Sequence, residues 1–207
     1  MTWMTRFMVE LPALHRNRLS DCYAWHKAIW QCFPNRPDAS RDFLFRLDEV
    51  PAGTLVHVLS PHEPQRPDFC TEDHWQIKAV PPCFLKYNCY RFDVICNPGR
   101  KVEAFTSDGQ RKKNSRREAI IKPDEQNAWL DRKAAANGFE VLPGMRSIDP
   151  STRYSFRKDH RSGTHIGVRF SGVLRVTQRD EFCRAFHKGL GSARGFGFGM
   201  LLLSPVR

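Results

Sequence analysis

Trp3-Met-Thr-Arg-Phe-Met-Val-Glu10 alternates apolar and polar residues, as a strand with one buried face does. Pro12 closes it and a polar loop follows. In Ser20-Asp-Cys-Tyr-Ala-Trp-His-Lys-Ala-Ile-Trp-Gln-Cys-Phe33 the period changes. Cys22, Trp25, Ile29, Cys32 and Phe33 form one apolar stripe at helical spacing over 21–33. Ser20 and Asp21 are residues that start helices, and Pro34 and Pro37 end this one. A strand followed by an amphipathic helix opens a β-α-β-β-α-β unit.

The remaining elements fit that unit. Residues 43–48 read as a strand, Pro51-Ala52-Gly53 as a turn and 54–59 as the next strand. A proline-rich stretch (Pro61, Pro64, Pro67) leads through a weak helix or irregular segment to a short strand near 75–80. Pro81 and Pro82 mark a boundary. The second half repeats the order. It has a strand over 85–96, a turn at Asn97-Pro98-Gly99, and a polar hairpin or loop to about Ile121. A helix opens at Pro123 and closes at Asn137-Gly138, and strands follow at about 139–146 and 165–176. Thr177 and Asp180 resemble a capping box for a last helix that turns Phe182, Cys183 and Phe186 inward. Gly189 ends that helix, and 200–203 reads as a buried strand. The fold class is therefore α+β, two tandem ferredoxin-like domains with 1–82 as the first and 83–207 as the second. The repeat is one of topology and not of sequence.

The chain has 207 residues, 41 % hydrophobic and 27 % charged, which is a globular composition. No apolar run approaches the roughly 20 residues of a membrane helix, and 1–10 has no signal-peptide core, so a cytoplasmic protein is expected. The seven cysteines (Cys22, Cys32, Cys70, Cys83, Cys89, Cys96 and Cys183) include no C-x-x-C pair. They read as reduced core residues and give no support to a zinc site. The net charge of +11 is unevenly spread. Residues 1–82 hold 9 Lys+Arg against 10 Asp+Glu, and residues 83–207 hold 24 against 12. A basic second half suits a polyanion, and nucleic acid is favoured over membrane because no basic amphipathic helix is present.

Four places could carry chemistry. On the helix over 21–33, Tyr23, His26, Lys27 and Trp30 share the face opposite the apolar stripe. Histidine transfers protons near neutral pH, tyrosine orients or polarises a hydroxyl, and lysine holds a phosphate. RNA brings its own nucleophile, the 2′-hydroxyl. A protein need supply only proton transfer, in-line geometry and positive charge, with no metal or other cofactor. A Tyr–His pair three residues apart is common on structural helices, so spacing alone does not establish catalysis.

The basic segment 100–117 contains Arg100, Lys101, Arg111, Lys112, Lys113, Arg116 and Arg117, opposed only by Glu103 and Asp108. It would track a phosphate backbone, or be a solvated loop. The glycine-rich run from Gly189 through Gly191 and Arg194 to Gly199 could bring backbone N–H groups close to a ligand, or be a tight turn. It follows a helix and lacks the Gly-Lys-Ser/Thr ending, so it is not a P-loop. Arg157, Lys158, His160 and Arg161 could neutralise a phosphate, or form an exposed basic hairpin. His15, His57, His62, His74, His165 and His187 show no ligand spacing. The acidic residues are scattered, which disfavours a metal-dependent nuclease.

The chain resembles the CasE family, the repeat-processing endoribonucleases of the type I-E CRISPR system. Three segments carry the likeness. The first is Tyr23-Ala-Trp-His26 with Phe33-Pro-Asn-Arg-Pro-Asp-Ala-Ser-Arg-Asp-Phe-Leu-Phe45. The second is Tyr90-Arg-Phe-Asp-Val-Ile-Cys-Asn-Pro98 with Ala128-Trp-Leu-Asp-Arg-Lys133 and Gly138-Phe139. The third is the glycine-rich end from Gly189 to Leu202.

The resemblance implies tandem ferredoxin-like domains and binding of a CRISPR repeat hairpin cut at its 3′ base. It implies a 5′-hydroxyl on one product and a cyclic or open phosphate on the other. It also implies retention of the crRNA within the Cascade complex. The family's tyrosine and histidine fall on Tyr23 and His26. His26 would be general acid or base, and Tyr23 would position the 2′-hydroxyl or aid its deprotonation. Two departures bear on the phosphate. Arg194 stands where the family often has lysine, and a family lysine falls near Thr164, which leaves Arg157, Lys158 or Arg161 to supply the charge. The competing reading is a catalytically inactive subunit that binds the RNA hairpin and uses Tyr23 and His26 as structure.

Overall fold

The computed structural model describes residues 1–34, 36, 39–103, 108, 110, 116–158 and 161–206, without the side chains of Arg116, Lys158 and Arg161. The first strand is β1 (Trp3–Glu10), where Thr5, Phe7 and Val9 point inward and alternate with outward residues. The chain does not loop at Pro12 as expected. It makes a short helix, α1 (Leu11–Arg16), with the proline in its first turn. A proline there loses no hydrogen bond, since the first N–H groups of a helix have no intrahelical partner.

The helix α2 (Cys22–Ile29) continues as a 3-10 turn over Trp30–Cys32. β2 (Leu44–Val50) and β3 (Gly53–Ser60) form a hairpin, and β4 (Trp75–Ala79) follows a single 3-10 turn, Glu72–His74. Between β3 and β4 no α-helix forms. Three prolines within the preceding connection leave few backbone N–H groups to build one. The strand order β2-β3-β1-β4, all antiparallel, is the ferredoxin-like order. Gly53 has φ +151°, and a Cβ there would lie 2.1 Å from the Val9 carbonyl oxygen, so the turn admits no side chain.

The second half has the same frame with additions. β5 (Cys89–Cys96) is preceded by a 3-10 turn, Phe84–Lys86, so the strand begins four residues later than expected. β6 (Gly99–Val102) and β7 (Arg116–Ala119) form a separate two-stranded ribbon. Next come α3 (Pro123–Ala135), β8 (Phe139–Ile148), β9 (Thr152–Lys158), the 16-residue β10 (Arg161–Val176), α4 (Arg179–Lys188) and β11 (Leu202–Pro205). Their sheet runs β11-β5-β10-β8, the same order again, while β9 pairs with the first half of β10. The protein is thus an α+β chain of tandem ferredoxin-like units.

Two expectations fail locally. Gln178 caps α4 with no side-chain bond, so Thr177 and Asp180 make no capping box. Cys83 is exposed and Cys89 and Cys183 are half-buried, so only Cys22, Cys32, Cys70 and Cys96 are core residues. No described helix is long and apolar enough to cross a membrane.

Each sheet has its own core. Phe7, Trp25, Ile29, Phe43, Phe45 and Val58 pack between the first sheet and α2. Tyr90, Val94, Trp129, Phe139, Phe170 and Phe182 pack between the second sheet and its helices. Leu44, Leu59, Phe186 and Met200 form a third cluster that joins the two.

A polar network crosses the same junction. Arg46 is 1 % exposed, binds both oxygens of Asp48 at 2.9 and 2.8 Å, and reaches Asp93 Oδ1 at 2.5 Å. Arg169 grips Asp93 from the other side at 2.9 and 2.6 Å. Burial works to raise the Asp48 pKa. His57, Arg46 and the Arg169 charge outweigh it and bring the carboxyl down to about 2. Stabilisation from this ionised group is present above the usual carboxylate value and is lost as pH falls toward about 2. The stability advantage of wild type over Asp48→Asn should therefore shrink across that interval, which denaturant titrations at stepped pH would measure. A gap independent of pH would contradict it.

Candidate active site

The site begins at the start of α2. Asp21 has extended backbone geometry, and its Oδ1 accepts the N–H groups of Tyr23 at 2.9 Å and Ala24 at 2.8 Å. With Trp25 and Ile29 buried against the sheet, helical spacing places Tyr23, His26 and Lys27 on the other side. The Tyr23 and His26 rings are 6.4 Å apart and inclined by only 16°. Lys27 Nζ sits 5.0 Å from the Tyr23 ring centroid. Trp30 does not join them. It is half-buried and packs edge-on against Phe43 at 5.0 Å, because the helix tightens to a 3-10 turn at that residue.

The loop after α4 closes over this face. Ala193 takes a left-handed conformation, φ 59°, and starts a 3-10 turn over Arg194–Phe196. The Phe196 ring lies 6.3 Å from the His26 ring. A Cβ built on Gly195 would meet Arg41 Nε at 3.5 Å and His26 Nδ1 and Cε1 at 3.9 Å. The chain backbone therefore passes close to the imidazole and leaves room beside it. Arg41 is half-buried, donates to the Phe43 carbonyl and lies 5.9 Å over the Phe43 ring. Burial, and then the neighbouring Arg194 charge, lower its pKa.

A third wall comes from the β9–β10 hairpin. The second carboxylate oxygen of Asp21, Oδ2, accepts the N–H of Arg157 at 3.1 Å. One side chain thus caps the helix and anchors a strand of the other half. Behind it, Phe156, His165 and Phe196 stack in a triangle with ring separations of 4.8 to 4.9 Å. His165 Nδ1 is 3.1 Å from Asn97 Nδ2, and burial lowers its pKa, which favours the neutral ring at physiological pH. An amide N–H donates there, so Nδ1 is the acceptor and Nε2 carries the hydrogen.

Residues 2–205 match the family model described as CRISPR associated protein. The chain belongs to that family. The CRISPR system Cascade subunit CasE of Escherichia coli strain K12 is 31% identical over 195 residues, covering 90% of this chain and 93% of its own. The CRISPR-associated endoribonuclease Cse3 of Thermus thermophilus is 24% identical over 226 residues, covering 98% of this chain and 100% of its own. The structure of CRISPR endoribonuclease Cse3 bound to 19 nt RNA has a TM-score of 0.78 at 23% identity, covering 98% of this chain and 100% of that one, and shares its fold.

Not every residue singled out in the sequence of this CRISPR-associated protein reaches the site. Tyr23, His26, Lys27, Arg194 and the Arg157 backbone are brought together. The Arg194 guanidinium turns back and donates to the Lys188 carbonyl at 2.8 Å, at the end of α4. Lys158 and Arg161 are register partners at the hairpin end. Gly191 lies against Trp129, 3.2 Å from where its Cβ would be, on the second core and away from His26. Arg116 and Arg117 belong to β7 of the separate ribbon, where Arg117 is exposed and pairs with Lys101. Arg111, Lys112 and Lys113 lie outside the described residues. Sequence reasoning misses two neighbours of the site, Arg41 and His165. Arg41 stands inside the quoted segment 33–45, but no periodicity marks it, and His165 is reached only through the fold.

Asp21→Ala should cost about 1 kcal/mol as a lost helix cap. It should also slow cutting of repeat RNA several-fold at saturating protein, because the hairpin loses its anchor on α2. Thermal melts with single-turnover kinetics would measure both. A melt shift with no rate change would limit Asp21 to capping.

Proposed function

We propose that this protein is a CRISPR repeat-processing endoribonuclease that binds the hairpin of repeat RNA, cuts it without metal by 2′-hydroxyl attack and remains on the mature crRNA within Cascade. The observation that carries this is the pairing of Tyr23 and His26 on one helix face, enclosed by a loop and a hairpin from the other half. A CasE relative named as a Cascade subunit and a Cse3 relative named as an endoribonuclease support the same reading.

In the mechanism, His26 serves as general acid or base and Tyr23 orients the 2′-hydroxyl. The attacking oxygen closes a ring on the adjacent phosphorus. The 5′-oxygen then leaves and must take up a proton, so the products are a 2′,3′-cyclic phosphate and a 5′-hydroxyl. Arg157, Lys158 or Arg161 would supply the positive charge for the pentavalent phosphorus. Residues 1–82 would carry the cutting helix. Residues 83–207 would carry most of the RNA affinity, with Arg111, Lys112, Lys113, Arg116 and Arg117 along the phosphate backbone. The site of action would be the cytoplasm.

The test is cleavage of the cognate repeat hairpin in EDTA, with the product ends identified. Cutting should persist, leaving a 5′-hydroxyl and a cyclic or opened phosphate. Binding without any cutting would make the protein an RNA-binding subunit, and cutting restored only by added Mg²⁺ or Mn²⁺ would overturn the mechanism.

A further inference from the structure

A cavity of about 400 Å³ opens beside the proposed cutting site, where the two halves meet. Arg41, Lys188 and Arg194 line it together with Thr2, Ser60 and His187. Its one carboxylate, Asp42, is already engaged. Arg36 holds both Asp42 oxygens at 3.1 and 2.8 Å, and His62 Nε2 lies 3.1 Å from one of them. His187 is held by neighbours on both ring nitrogens. Its Nδ1 donates to the Cys183 carbonyl at 2.7 Å, and its Nε2 lies 3.1 Å from Thr2 Oγ1. Three cations thus face one space, and no described carboxylate lies within ion-pair distance of them. Holding like charges together is unfavourable unless an anion joins them, the more so for the half-buried Arg41 and Arg194. Burial first, and then the Arg194 charge, lower the Arg41 pKa, while Asp42 works the other way.

The position of the cavity identifies the anion. Arg41 Nε and the His26 imidazole flank the same residue, Gly195. A chain whose reacting linkage lies at His26 would therefore place a neighbouring linkage in reach of Arg41. The volume lies within the range of about 300–1,000 Å³ usual for ligand pockets. Arginine suits a phosphodiester because its planar fork matches two phosphate oxygens, and lysine adds a mobile point charge.

We propose that this cavity is a phosphodiester subsite, in which Arg41, Lys188 and Arg194 grip a backbone phosphate adjoining the one cut at His26. The proposal rests on the ribonuclease reading above. It makes Arg41 a binding residue of the site and gives the end of α4 a part in holding the RNA strand.

Repeat hairpins carrying one neutral methylphosphonate at successive positions either side of the cut would test it. They should be bound and cut by wild type, Arg41→Gln and Lys188→Ala, with Lys188→Ala as the exposed change that leaves the fold intact. In wild type, one neutralised phosphate other than the scissile one should weaken binding about tenfold. In both variants the same neutralisation should cost less than about twofold, since its partner is already gone. Variants that lose affinity equally for every RNA, or lose none, would overturn the subsite while leaving the ribonuclease reading in place. Wild type that neither binds nor cuts any of these RNAs would overturn both.

Discussion

His26→Ala should bind repeat RNA as wild type does and cut it about 10²–10⁴-fold more slowly, the range for a lost general acid or base. The separation of binding from cutting follows from where the cations lie. The imidazole is one half-buried ring, and 24 of the 33 Lys+Arg lie in residues 83–207, so its removal takes little from affinity. Gly195 and Phe196 lie on one side of it and Tyr23 on another, so the reacting linkage is met by this ring and not by a chain of other titratable groups. Tyr23→Phe keeps the ring and loses only the hydroxyl, so it should show a smaller loss in the same direction. Single-turnover cleavage with a parallel binding titration checks both. If His26→Ala cuts at the wild-type rate, the histidine is structural and the reacting group lies elsewhere.

Arg46→Met should cost about 3–5 kcal/mol of stability, the penalty for breaking an ion-pair network at its buried member. The arginine is almost fully buried and serves two acids on different sheets, Asp48 on β2 and Asp93 on β5. Methionine fills much of the same space, so the loss is chiefly electrostatic. Asp93 keeps Arg169, at 2.6 Å, and Asp48 keeps only His57 at 3.6 Å and the more distant Arg169 at 3.8 Å. Asp48→Asn should therefore cost much less in the Arg46→Met background than in wild type, a coupling that a double-mutant cycle in denaturant would measure. Because the network ties the two halves, the variant should also cut more slowly at temperatures where it is still folded. A loss below about 1 kcal/mol would mean that the two halves are held by the Leu44–Leu59–Phe186–Met200 cluster instead.

Much of this fold is legible in the chain because its elements are bounded by residues with only one physical use. Asp21 starts α2, Pro34 follows its final turn, Pro123 opens α3, and Gly189, at φ 76°, ends α4. The errors fall where a residue has two uses. Pro12 can close a strand or open a helix, and the helix forms once β1 presents its end to it. β9 goes unread although Thr152, Tyr154 and Phe156 alternate with Arg153, Ser155 and Arg157, because the run is short and its charge draws attention to a basic loop, and pairing with β10 makes it a strand.

The site divides in the same way. Tyr23 and His26 can be placed together from sequence, since three residues on a helix are neighbours whatever surrounds them. The glycine-rich run is legible as a loop that permits close approach, but not which glycine uses that freedom toward the site. Gly199 packs against the Leu190 backbone and Gly191 against Trp129, while Gly195 alone of the run meets His26.

By itself, then, the sequence determined the periodicity, the order of strands and helices, the charge imbalance and the face that carries Tyr23 and His26, because each depends on residues close along the chain. Only the tertiary structure decided that Asp21 anchors a strand 136 residues away, that Arg46 joins the two sheets, and that Arg41, Lys188 and Arg194 share one cavity beside His26. Contacts of that kind leave no trace in local pattern, since their partners meet only when two separate cores have formed and packed together.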